Sequence, residues 1–275
     1  MSEQPKRPAP GAEPAPPAPP APERRATLVA AEHLAVGYSA APVLQEVEFQ
    51  LRAGERIGVL GPNGGGKTTL FRALLGELKP LAGELRVAVR AGTVPQTERS
   101  RLDFPVSALD VALMGAIAGR PWWQRPGRRE RAAAHAALRR VGLDGLHDRS
   151  FGELSGGQRQ RVLVARALVQ DARVVLLDEP FTGLDNVSTA RLEQLLDELA
   201  QEGRGVLIAT HDVEQARAWD RVLCLNRRQI AFGPPAQTLS LEVLASTYGG
   251  SIVTLEERDG ERLAILPPHH HHHDH

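Results

Sequence analysis

Gly61-Pro62-Asn63-Gly64-Gly65-Gly66-Lys67-Thr68-Thr69 sets glycines around a proline and an asparagine, then adds one cation and two hydroxyls. The spacing is G-x-x-x-x-G-K-[ST], a pattern whose glycines let backbone N–H groups turn inward onto phosphate oxygens. A helix opening at Lys67 would add the positive end of its dipole. Lys67 would then reach the β- and γ-phosphates of a nucleotide, and the Thr68 hydroxyl could ligate Mg²⁺. Lysine is scarce, with Lys6, Lys67 and Lys79 in a chain otherwise supplied with Arg, so Lys67 is no by-product of composition. A glycine-rich turn with an incidental lysine would have to reproduce five fixed positions and the correct flanks.

Two further segments carry chemistry. Val174-Val-Leu-Leu-Asp178-Glu179-Pro180 is an apolar run ending in two carboxylates. In a parallel α/β sheet, ligands sit beyond the carboxyl ends of the strands, so Asp178 could hold Mg²⁺ and Glu179 could orient and deprotonate a water. Alone, the pair could equally be a solvated strand end or a helix cap. Leu154-Ser155-Gly156-Gly157-Gln158 precedes a helix, so Ser155 and the glycine N–H groups could form a second anion site. By itself Ser-Gly-Gly also suits a loop and cap.

The elements that must position these residues follow from periodicity. Thr27–Val36, Val43–Leu51 and Arg56–Leu60 read as strands, and the last of these leads into the glycine loop. Lys67–Leu78 has helical spacing, with Leu70, Leu74, Leu75 and Leu78 on one face. Arg128–Val141 and Val162–Val169 read as helices, and Val174–Leu177 as a strand covered on both faces. Ser188–Gln201, Gly205–Thr210 and Val213–Trp219 read as helix, strand and helix. Alternating strands and helices predict an α/β fold with a parallel sheet. Residues 97–170 lack strand signals and read as a helical insert. Ile252–Glu257 and Arg262–Leu266 flank Asp259-Gly260 as a C-terminal hairpin, within an extension over 251–268.

Composition bounds the rest. Residues 1–26 are rich in Pro, Ala and charge, and are expected to remain a disordered tail. Lys and Arg total 33 and so do Asp and Glu, so bulk charge points to no nucleic-acid partner. Cys224 is the single cysteine, which excludes an intramolecular disulfide. No apolar run approaches the roughly 20 residues of a membrane-spanning helix, so a membrane role would need a separate partner.

Taken with the phosphate loop and the acidic strand end, Leu154–Gln158 resembles the signature of the ABC ATPases. Further matching segments follow in order across residues 28–250. The resemblance implies that Tyr38 stacks on adenine and that Gln96 contacts Mg²⁺ and senses a membrane partner. It also implies that Leu184-Asp185 is the D-loop and that His211, in Thr210-His211-Asp212, reaches the γ-phosphate. A P-loop NTPase core over 27–250 is expected, with a mixed or parallel sheet, an antiparallel β subdomain and the helical insert. Two such domains would dimerise head to tail, each ATP lying between one phosphate loop and the Leu154–Gln158 of the other copy. Glu179 and His211 would be catalytic, with ATP and Mg²⁺ bound. The subunit would work at the cytoplasmic face of the plasma membrane on a separate permease, and indirectly with a substrate-binding protein.

Segment 103–115, the Gly-Gly-Gly-Lys-Thr-Thr form of the loop, Asp178–Asp185 and Ile230–Pro235 resemble the subunits that serve manganese and zinc importers. Iron, haem or siderophore transport is the alternative. The chain closes with His269, His270, His271, His272, His273, Asp274 and His275. Imidazoles bind Zn²⁺, Cu²⁺ and Ni²⁺, and Mn²⁺ less tightly. A purification tag has the same composition, but a tag would not normally end in Asp-His.

Overall fold

The structure is a computed structural model that describes residues 25–95, 105–117, 126–249, 253–256 and 262–265. Strands β1 (Thr27–Val36), β2 (Leu44–Arg52) and β3 (Arg56–Leu60) lead into helix α1 (Lys67–Leu74). Strands β4 (Ala82–Val87) and β5 (Ala91–Val94) precede three helices, α2 (Ala108–Ile117), α3 (Arg128–Arg140) and α4 (Gly156–Val169). Then come β6 (Val174–Asp178), α5 (Asn186–Gln201), β7 (Gly205–Thr210), α6 (Val213–Ala216), β8 (Arg221–Leu225) and β9 (Gln229–Gly233). Helices α7 (Pro235–Thr238) and α8 (Leu241–Tyr248) follow, and β10 (Val253–Glu256) pairs antiparallel with β11 (Arg262–Ile265). The Asp259-Gly260 turn expected between these two strands lies outside the described residues, as do the N-terminal tail, Gln96 and the His-rich end.

Six strands form the main sheet in the order β5-β6-β7-β3-β8-β9, parallel except for β9. A second sheet, β2-β1-β4, is antiparallel. The mixed core and antiparallel subsheet match the expected fold. The period-2 alternation of each parallel strand explains how the core divides. In β6, Val174 and Leu176 join one apolar cluster with α1 and the antiparallel sheet, while Val175 and Leu177 join another with α2 to α5. Strands β3, β7 and β8 split in the same way. All four of these β6 side chains are fully buried. Both faces of the sheet are therefore covered, as a parallel sheet requires.

Where sequence and structure differ, local chemistry accounts for it. Helix α1 ends at Leu74 rather than Leu78 because Gly76 takes φ +77°. The Gly76 N–H donates to Ala73 O at 2.9 Å and the Glu77 N–H to Arg72 O at 2.9 Å, a Schellman closure that stops the helix. Helix α4 begins at Gly156, six residues before its apolar run, because Ser155 caps it. Helix α6 is a single short turn, and its continuation to Ala218 and Trp219 is held by tighter i→i−3 bonds. Strands β4, β5, β8 and β9 complete the sheets without having been expected as strands.

Three neighbouring parallel strands set up the site. Leu60 of β3 lies level with Thr210 of β7, and Asp178 of β6 lies level with Ala209. Strands in a sheet stand about 4.8 Å apart, so the three carboxyl ends fall within roughly 10 Å of one another.

Candidate nucleotide-binding site

The glycine loop leaves β3 and α1 opens at its far end. Gly66 caps α1 with φ +104°, a left-handed backbone that costs a side-chain residue about 1–2 kcal/mol. A Cβ there would also stand 2.9 Å from Leu44 Cδ1. The first turn of α1 has no acidic residue, so nothing on the helix itself offsets the positive end of its dipole. Lys67 is buried, and its Nζ donates to Gly61 O at 2.5 Å and to Pro62 O at 3.3 Å. Burial pushes the Lys67 ammonium pKa down, and the Glu179 and Asp178 carboxylates partly offset that shift. Thr68 is exposed and Thr69 buried. The Gly61 N–H donates to Tyr248 Oη at 3.2 Å.

At the end of β6, Glu179 takes φ +48°, and its N–H donates to Ala209 O at 2.9 Å. A left-handed carboxylate residue is held there only by its surroundings. Glu179 Oε2 lies 3.8 Å from His211 Nδ1. That carboxylate is the main cause raising the His211 pKa, against partial burial and the Lys67 charge. Thr210 Oγ1 accepts from the Asp212 N–H at 3.0 Å, and Asp212 Oδ1 accepts from the N–H groups of Glu214 at 2.9 Å and Gln215 at 3.2 Å. Glu179, Thr210, His211 and Gln215 line a hollow of about 90 Å³, large enough for a few waters. A carboxylate and an imidazole facing the same hollow can move a proton from water.

Tyr38 is exposed, and the Arg72 guanidinium lies over its ring at 5.6 Å from the centroid. A hydrogen bond with the Thr69 side chain, helped by Arg72, holds the Tyr38 phenol below its ordinary pKa. Neither Arg72 nor Thr69 was expected beside Tyr38.

The Leu154–Gln158 segment makes its contacts elsewhere. Leu154 is buried in the helical core. Ser155 Oγ accepts from the Gln158 N–H at 3.3 Å, while Gln158 Oε1 accepts from the Ser155 N–H at 2.9 Å. This capping box explains the Ser and Gln spacing without any ligand. Gly157 packs on α5, where a Cβ would stand 2.4 Å from Ser188 Oγ. Asp185 caps α5, accepting from the Ser188 N–H at 2.7 Å, and that bond holds its carboxyl pKa down. The structure thus brings Lys67, Asp178, Glu179 and His211 together, and sets Ser155–Gln158 beside Leu184–Ser188.

Thr68 and Asp178 offer oxygen donors only, and no group of three or more His, Cys, Asp or Glu able to hold a metal occurs among the described residues. So few protein donors, all hard oxygens, fit Mg²⁺, which keeps waters and takes phosphate oxygens.

A parallel sheet with a glycine loop opening a helix, and a buried lysine opposite two strand-end carboxylates, defines a P-loop nucleotide triphosphatase. The family profile described as ABC transporter matches residues 44–182, and the chain belongs to that family as one of its ATP-hydrolysing cassettes. The chain is 38% identical over 240 residues to the manganese transport system ATP-binding protein MntB of Halalkalibacterium halodurans, covering 84% of this chain and 96% of that one. It is 40% identical over 233 residues to the zinc transport system ATP-binding protein TroB of Treponema pallidum, covering 82% and 88%. Among solved structures it resembles an inward-facing ABC transporter assigned to the metal-chelate type, with TM-score 0.75, 30% identity, and 88% and 99% of the two chains covered. It also resembles the ATP-binding cassette MJ0796, solved as a dimer with ADP and phosphate, with TM-score 0.63, 25% identity, and 75% and 98% covered.

Proposed function

We propose that this chain energises uptake of a divalent metal ion, manganese or zinc, as a homodimeric ATPase on a separate membrane permease. One observation carries the metal assignment: relatives at 38–40% identity over more than four-fifths of the chain are named for manganese and zinc transport. The path for the ion would belong to that permease; among the described residues no helix is long and apolar enough to cross a membrane. Met114 and Ile117 of α2 are exposed and offer that partner apolar contact. A substrate-binding protein would deliver the ion on the opposite face of the membrane.

In the ATP site, Gly61–Thr69 wrap the phosphates, Lys67 neutralises them and Tyr38 stacks on the base. Thr68 and Asp178, with Gln96, would hold Mg²⁺, which when bound would draw charge from the phosphate oxygens. Glu179 takes a proton from water, and His211, whose pKa Glu179 raises, steadies the phosphate that departs. Ser155–Gln158 and Asp185 complete the site from the second copy, a reading supported by the dimeric relative with ADP and phosphate. Glu179→Gln is expected to retain ATP binding and to lose turnover by at least about a hundredfold. Near-normal phosphate release from that variant would remove Glu179 from the role of base.

The metal assignment has its own test. Cells lacking the gene should lose uptake of radiolabelled manganese or zinc and recover it with the intact gene. The metal-chelate type of one structural relative supports a second reading, transport of an iron chelate or haem. Loss of chelated-iron uptake, with manganese and zinc uptake unchanged, would establish that reading instead.

A further inference from the structure

The first residue of the phosphate loop is held from both sides. Its carbonyl accepts from Lys67 Nζ at 2.5 Å, and its N–H donates to Tyr248 Oη at 3.2 Å. The β3 ladder ends one residue earlier, at Leu60, whose partners are Thr210 and Cys224. The Gly61 N–H therefore stands beyond the last backbone pairing and takes a side-chain acceptor instead. A third element closes the space around it, since a Cβ on Gly61 would stand 2.1 Å from Leu225 O at the end of β8.

Tyr248 reaches this position from α8, 187 residues further along the chain. Helix α8 is anchored by Leu244, Thr247 and Tyr248, all buried, and Ser240 caps its start by accepting from the Val243 N–H at 3.4 Å. Burial is the main cause that holds the Tyr248 phenol well above its ordinary pKa, opposed by the Gly61 N–H and helped by the Glu179 carboxylate. The phenol is therefore neutral over the working pH range, and its oxygen is a constant acceptor.

We infer that Tyr248 is a positioning residue for ATP, its hydroxyl fixing Gly61 so that the loop amides and Lys67 keep the arrangement that receives the phosphates. The inference rests on the reading that Gly61–Thr69 hold the phosphates. It extends that reading by giving the last helix of the domain a part in nucleotide affinity. Losing the hydroxyl leaves a buried N–H without its acceptor while the ring still fills its space.

The test uses the full chain and the variants Tyr248→Phe and Leu143→Ala. The second removes a buried side chain of the helical insert, away from α8 and the loop. Binding of a fluorescent N-methylanthraniloyl ATP is measured by titration, steady-state ATP hydrolysis gives KM and kcat, and NMR follows exchange of the Gly61 amide. Tyr248→Phe is expected to weaken ATP binding and raise KM by about tenfold, with kcat within about twofold and faster Gly61 exchange. Leu143→Ala is expected to lower the melting temperature but leave ATP affinity unchanged. Wild-type affinity in Tyr248→Phe would overturn the inference, as would an equal affinity loss in Leu143→Ala. Rapid Gly61 exchange in the unmodified chain overturns it even if the Phe variant does not fold. Failure of the unmodified chain to bind ATP would instead refute the reading of the loop.

Discussion

Glu179 and His211 form a charge pair whose strength depends on pH. The folded His211 pKa is raised above 6.5, mainly by Glu179. Its contribution to stability is therefore complete below the unfolded value and is lost as pH rises through the raised folded value. The His211 side chain is 50% exposed, so solvent screens the pair and the gain is small. An NMR titration of the His211 ring should give a midpoint above 6.5 in the intact chain and a lower one in Glu179→Gln. A midpoint unmoved by that substitution would break the pairing. Lys67 has the opposite sign: burial lowers its pKa, so the charged form costs folding free energy at neutral pH and that cost fades as pH rises through the lowered value. Lys67→Met should keep or raise the melting temperature without nucleotide and abolish its rise with MgATP. Retention of an ATP-dependent rise would show that the lysine is dispensable for binding. The chemistry of these side chains could be read from residue types and spacing, because Lys67 follows its glycines directly and Asp178-Glu179 close an apolar run. The contact of Tyr248 with Gly61 could not, since no local pattern joins residues that far apart.

At the scale of elements, glycine placement is decided by packing rather than by the ligand alone. Gly157→Ala would drive a Cβ to 2.4 Å from Ser188 Oγ and 2.6 Å from Ser188 Cβ, forcing α4 away from α5. It should destabilise the chain by about 1–3 kcal/mol in urea unfolding, and Ser188→Gly in the same chain should recover part of the loss. Gly156→Ala meets nothing closer than 3.7 Å and should cost little, so equal losses at the two positions would argue against a packing role. The same scale shows what sequence patterns conceal. Strand β5 is four residues, Ala91–Val94, too short and too small in its Ala-Gly half to stand out, and it exists because β6 pairs with it. Strand β8 carries the apolar run Val222–Leu225, which periodicity alone does not assign to a strand, and β9 is an edge strand whose Ile230 and Phe232 are only half-buried. Lys67–Leu78 kept its apolar face in the sequence yet stopped at Leu74, because Gly76 acts through backbone geometry rather than polarity.

At the scale of the whole molecule, the parallel sheet does the assembling. Three consecutive strands in space, β3, β7 and β6, come from three separated stretches of chain and end level with one another. Each delivers one functional group: the phosphate loop after β3, His211 after β7 and Glu179 after β6. The order of those strands in the sheet is not their order along the chain. Local patterns reveal the groups, and the rule that ligands sit beyond strand carboxyl ends already sets Asp178 near the loop, whereas the place of His211 rests on the family resemblance and on the sheet topology. The antiparallel sheet and the helices α2 to α5 cover opposite faces, which leaves the carboxyl edge of the main sheet as the place where a ligand enters.

The capping box at Ser155 has a consequence for how energy is divided in the working dimer. In the single chain, Ser155 Oγ already accepts from Gln158, and Gln158 already accepts from Ser155. The segment is therefore rigid before any nucleotide arrives, and its hydroxyl still has a proton to donate. Docking onto a nucleotide held by the other copy would require little loss of conformational freedom there. Free energy that a flexible loop would spend on becoming ordered stays available to draw the two halves together, and so to do mechanical work on the membrane partner.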